Sequence, residues 1–183
     1  AAGYNAQGDS SVAVGRDAGQ ISQGADAVAV GHNAAQTSQG DRSVAVGYNA
    51  GINAQGINAT TLGYNSGKVS QGAGAVAVGV GAGEQSQGAD AVAVGSLAGS
   101  ADQGDYAVAI GGSAGNASQN NYATAVGYRA GSNSQGANAT AIGVNAGYNA
   151  QGADAVAVGN AAGCASQGLR SVAVGYNAGI NAQ

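Results

Sequence analysis

Proline, phenylalanine, tryptophan and methionine are all absent from this chain of 183 residues, and charged residues make up only 8% of it. Without Phe, Trp or Met the usual large core fillers are missing, so any core must be thin and built from small side chains. The lack of proline excludes collagen, which 35 glycines would otherwise suggest, because collagen needs a strict three-residue period and many prolines. A net charge of -4 falls short of the high charge that accompanies disorder. One cysteine, Cys164, excludes an internal disulfide and a Cys-rich metal site. Five basic residues (Arg16, Arg42, Lys68, Arg129, Arg170) are scattered, which leaves no patch for phosphates and excludes nucleic acid as an expected partner. No apolar run of about 18 residues exists, so this segment is not expected to insert into a membrane. No signal-peptide pattern is present, and a start at Ala1 without Met reads as an excerpt of something longer.

What is present is repetition. The passage SVAVGYNAGINAQ occupies 43–55 and returns verbatim at 171–183. Glycines that follow a Val-rich triplet recur at Gly15, Gly31, Gly47 and onward to Gly175, always sixteen residues apart. One unit reads Q-G-x-x-[AS]-[VT]-A-[VIL]-G-x-x-A-G-x-x-[SAN], and its sixteen positions are numbered from the Gln hereafter. The reading is a single repeat domain over 1–183, with about eleven coils over 7–182 and a partial coil before them.

Each unit holds a short strand signal such as VAV, with side chains alternating at period two. Glycines at positions 2, 9 and 13 mark turns or close backbone approaches, Gly31 and Gly47 among them. Sixteen residues are too few for two-helix repeats, and so many glycines oppose helix. A parallel β-solenoid fits, its coils stacked about 4.8 Å apart in a rod roughly 50 Å long. Stacking makes every position a ladder. Val28 and Val44 belong to one apolar rib, and Val30 and Val46 to a second, both expected to point inward. Gln23, Gln39 and Gln55 belong to a polar ladder whose amides can bond along the axis. The opposite parity is almost uniformly Ala (Ala13, Ala29, Ala45 and so on), which predicts burial of that face at a subunit interface.

A search for chemistry returns no catalytic residue, no cofactor site and no metal site. His32 is the only histidine and sits at a variable turn position, and Cys164 occupies a variable surface slot. Asp26, Asp90 and Asp154 share position 4 but are four coils apart, too far for one Ca2+. The aromatic surface is all tyrosine: Tyr48, Tyr64, Tyr128 and Tyr176 at position 10, Tyr106 and Tyr122 at position 4, Tyr4 and Tyr148 at position 14. Their exposed rings are candidate contacts for a sugar or a protein receptor, or shields for turn backbone. Asn58, Asn116 and Asn138 open N-x-S/T sequons, which matter only in a eukaryotic secretory route.

Segments such as SVAVGYNAG (43–51), AVAIGGSAG (107–115) and ATAIGVNAG (139–147) resemble the head repeats of YadA-type trimeric autotransporter adhesins, and similar repeats occur in phage and virus fibre proteins. The resemblance implies an all-β, left-handed parallel β-roll with three chains about one axis, a homotrimer at a cell or virion surface. It further implies binding of a host receptor, matrix protein or glycan, and no enzymatic activity. The family's repeats commonly run about fourteen residues, so the sixteen here are a departure, and no neck, stalk or anchor is recognised in the sequence. The function expected is a structural and adhesive segment of a trimeric surface fibre. The alternative is an ice-binding solenoid, although Thr residues form no regular array.

Overall fold

Every coil turns on backbone conformations that most L-residues avoid. A computed structural model describes residues 1–181, and in it positions 4 and 11 are left-handed in coil after coil, as at Asn33, Asn49 and Asp26 (φ +55°) and Asn58 (φ +59°). Each is the third residue of a turn, and most of these turns are closed by a backbone bond, such as Ala75 N–H to Gly72 O at 3.3 Å and Ala98 N–H to Gly95 O at 3.3 Å. Left-handed φ at that place is the requirement of type II geometry, which Gly, Asn and Asp meet at the lowest cost. Position 9 is more demanding. Gly31 and Gly47 have φ near +131° and +137°, and a Cβ on Gly31 would overlap the Gly47 carbonyl of the next coil.

Between the turns the chain runs in two short extended segments per coil. Those at positions 6 to 8, from Val12–Val14 to Val172–Val174, form an eleven-stranded parallel sheet, hereafter the Val sheet. Its register advances by one unit per strand, with Val28 opposite Val44, Ala29 opposite Ala45 and Val30 opposite Val46. The segments ending in the Gln form a second parallel sheet, five-stranded from Asn5–Gln7 to Val69–Gln71 and four-stranded from Ser118–Gln119 to Ser166–Gln167. Single bridges Gln71–Gln87, Gln87–Gln103 and Gln103–Gln119 join the two pieces. The protein is therefore an all-β parallel solenoid of sixteen-residue coils. The last residue of the expected 7–182 span lies outside the described residues.

The interior reverses the expected facing. Ala29, Ala45, Ala77, Ala93 and their equivalents at position 7 are buried, as are the alanines at positions 5 and 12, with only Ala13 and Ala178 of the terminal coils partly covered. The Val ribs point out: Val28, Val30, Val44 and Val46 are only partly covered, and Val14 and Val174 are 55% and 64% exposed. The expectation of an inward Val core with an Ala interface is thus corrected. The physical reason is width, because the facing sheet already fills the interior with one Gln per coil and leaves room opposite it only for methyl groups. Thr61, at a position otherwise held by Ala, is buried too, while Thr60, Thr124 and Thr140 stand in the outward Val rows.

The Gln side chains are the largest groups inside. Gln39 donates from Nε2 to Val28 O at 2.9 Å and to Ser43 O at 3.3 Å, and Gln23 and Gln55 repeat this with Val12, Ala27, Val44 and Ala59. Each amide so ties its own sheet to the start of the Val strand. From Gln71 to Gln135 an axial chain is added, each Nε2 reaching the next Oε1 at 3.1 Å. The axial ladder is therefore a feature of the middle coils, and the outer ones rely on the bonds to backbone.

Candidate interaction surfaces

The Val sheet presents one continuous outer face, bordered by the turn at positions 3 and 4 on one side and the turn at positions 10 and 11 on the other. The remaining side, positions 14 to 16, carries mostly polar residues in matched rows. Gln36 bonds Gln20 at 3.2 Å, Lys68 pairs with Glu84 at 3.4 Å, and Asn133 bonds Asn149 at 2.8 Å. The tyrosines divide between these surfaces as their positions dictate.

At position 10 the rings of His32, Tyr48 and Tyr64 form one stack, with centroids 5.0 and 5.4 Å apart and planes within 8° of parallel. Beside it runs an amide ladder, Asn33 to Asn49 at 3.1 Å and Asn49 to Asn65 at 3.2 Å. Tyr106 stacks on Tyr122 at 5.1 Å across the other border, and the Arg129 guanidinium lies 5.1 Å from the Tyr128 ring. Tyr176 is exposed, whereas Tyr148 is half-buried on the polar side. Because ring faces in a stack cover one another, the stacked tyrosines offer a ligand chiefly their edges and hydroxyls. His32 is half-buried against Tyr48, more enclosed than a solvated turn residue.

Among the described residues no three His, Cys, Asp or Glu side chains come together as metal ligands. Asp17 has its carboxyl pKa lowered, first by a hydrogen bond from the Ala1 ammonium at 2.6 Å and further by the nearby charges of Arg16 and His32. Cys164 is a half-buried free thiol. A shallow groove where strand pairing thins to single bridges is lined by Ser70, Ser86, Asp102 and Asn120, polar groups without a second carboxylate. No described helix is long and apolar enough to cross a membrane.

Structural staples account for several of the polar residues singled out in the sequence. The carboxylates of Asp41 and Asp105 at position 3 accept backbone N–H bonds from Ala25 and Ala89 of the preceding coil, at 3.0 and 2.8 Å. Asn58 accepts from Arg42 at 2.9 Å and Asn138 donates to Asp154 at 3.0 Å. Sequence reasoning passed over the left-handed positions 4 and 11, although their enrichment in Asn, Asp and Gly was a usable signal. It also missed the outward Val face, for which the signal was that the Val rows tolerate Ile, Leu and Thr whereas the Ala row hardly varies.

Comparison with curated proteins found no match, and comparison with solved structures found none. A family model does match: residues 22–50 fit two copies of the YadA head domain repeat. That stretch holds the Gln, Val and Gly positions that recur through every coil to the end of the sequence. On this match residues 22–50 are YadA-like head repeats, and the same sixteen-residue unit continues through the other coils.

Proposed function

We propose that three copies of this chain pack their Val faces about a common axis, as left-handed rolls, to form a rigid segment of a surface fibre. The observation that carries this is the eleven-strand apolar face, open along its whole length while nearly all the alanines behind it are buried. Monomeric soluble proteins rarely expose a contiguous apolar strip of that extent, about 50 Å along the axis. The YadA-like repeats support the adhesin-type role, with placement at a cell surface or as part of a phage or virus fibre. The outward surfaces then present contacts to a host receptor, matrix protein or glycan, and the segment itself does no catalysis. Ice binding is not favoured, because the outward Thr residues of the Val rows are only Thr60 and the adjacent pair Thr124 and Thr140, too few for an extended array.

Mass in solution tests the assembly. Light scattering of the intact chain gives three times the chain mass, and Val46→Asp combined with Val94→Asp gives a single-chain mass with the β circular dichroism retained. A monomeric parent protein overturns the proposal. Receptor presentation is tested by surface plasmon resonance over immobilised matrix proteins and glycans, where saturable binding is expected and binding to none of them removes that part.

A further inference from the structure

The exposed apolar surface does not end with the Val strands. Of 22 exposed large apolar side chains among the described residues, 18 lie on the Val sheet or its two bordering turns, and only Tyr4, Ile21, Val69 and Ile180 lie on the other side. Both corners are therefore sticky, and a partner that covers the sheet alone leaves them open to water.

The two borders differ chemically, which matters for how copies meet. A three-fold ring is made of heterologous contacts, so the position 3–4 border of one chain meets the position 10–11 border of its neighbour. Closure also forbids a net stagger, since a stagger generates an open helix. Turns that meet hence belong to the same coil, to within one coil rise of about 4.8 Å.

That rule pairs residues that are unrelated within one chain. All four arginines lie on these borders. At its own coil level each faces a suitable group on the opposite border: Arg16 faces Asp9, Arg42 faces Tyr48, Arg129 faces Tyr122 and Arg170 faces Tyr176. These are one ion pair and three guanidinium–aromatic pairs. Within the chain Arg16, Arg42 and Arg129 contact Asp17, Asn58 and Tyr128 instead. Size matches as well, since Gly112, the one glycine of the position 10 row, stands level with the large ring of Tyr106.

We infer that the two bordering turns form the seam between neighbouring copies, a position 10–11 turn of one chain seated on the position 3–4 turn of the next. This rests on the trimer reading and extends it. The position 10 tyrosines, with Tyr106 and Tyr122, are then chain-to-chain contacts, and the surface left for a receptor is the polar side at positions 14 to 16.

Oxidative tyrosine coupling tests the seam on the whole chain. A photoactivated ruthenium complex with persulfate as oxidant takes one electron and one proton from each of two adjacent phenols, and the two radicals join through a carbon–carbon bond. At coil eight Tyr128 of one copy meets Tyr122 of the next. We expect a trimeric mass by light scattering and SDS-resistant dimers and trimers after illumination. Their yield falls at least five-fold in both Tyr122→Phe and Tyr128→Phe, which keep the rings, and is unchanged in Tyr4→Phe. A trimer whose chain-to-chain yield is nil, or is the same in Tyr122→Phe and Tyr128→Phe, overturns the seam and leaves the trimer standing. A monomeric mass removes both.

Discussion

Gln135 is fully buried and donates its side-chain amide to the carbonyl of Thr124 at 2.7 Å, eleven residues earlier in the chain. The same Nε2 reaches Ala139 O at 3.1 Å, and Oε1 accepts from Gln119. One side chain thus links both sheets and two neighbouring coils. In a core whose other members are methyl groups, this amide is the main specific connection across the interior.

Replacing it with an apolar group of similar size isolates that connection. Gln135→Leu takes the side-chain donor away from the carbonyls of Thr124 and Ala139 in a dry interior, a cost of about 1–3 kcal/mol. Urea unfolding should show the lower midpoint, and an unchanged midpoint would count against the amide bridge.

The facing of the Val sheet gives a paired prediction. Ala109→Val pushes two methyl groups into a space already closed, at a cost of about 1–3 kcal/mol. Val108→Thr, one residue away on the outer face, should change protomer stability by less than about 0.5 kcal/mol, as is usual for surface substitutions. Thermal melts of dilute protein compare the two. A larger loss for Val108→Thr would mean that the valines, not the alanines, face in.

Ala35 stands in a left-handed conformation (φ +46°) at a position that is otherwise glycine. Ala35→Gly removes a Cβ penalty of about 1 kcal/mol and should raise the melting temperature by several degrees. A fall in melting temperature would refute the assignment of strain there.

Gly47 is the opposite case. Its φ of +137° is a region essentially reserved for glycine, and a Cβ would overlap the Gly63 carbonyl. Gly47→Ala should cost more than about 3 kcal/mol, whereas Asn145→Gly, at a left-handed turn position (φ +56°) outside the amide ladder, should be close to neutral. Chemical denaturation of both variants tests this, and equal stabilities would contradict the turn geometry.

The period, the strand positions, the turn glycines and the parallel stacking were all legible in the residues, because a sixteen-residue unit repeated without a slip admits few folds. The direction of the sheet was not. Alternation shows that Val44 and Ala45 point to opposite sides, but which side is interior depends on the distance to the other sheet, which Gln39 and its equivalents set. The tyrosines show the same limit. Stacking of Tyr48 on Tyr64 and of Tyr106 on Tyr122 follows from their one-coil spacing and is found, yet the place of His32 at the end of the first stack needed the turn conformation.

An interior lined mostly by methyl groups and one amide per coil carries little shape information, since the inside of one coil closely resembles that of another, the coil holding buried Thr61 and Ser66 apart. QGADAVAVG at 23–31 recurs at 87–95 and 151–159, four coils on each time. Length is then a free parameter: whole coils can be gained or lost by recombination with no compensating change in the core. The reach of such a segment can drift between lineages while its cross-section stays fixed.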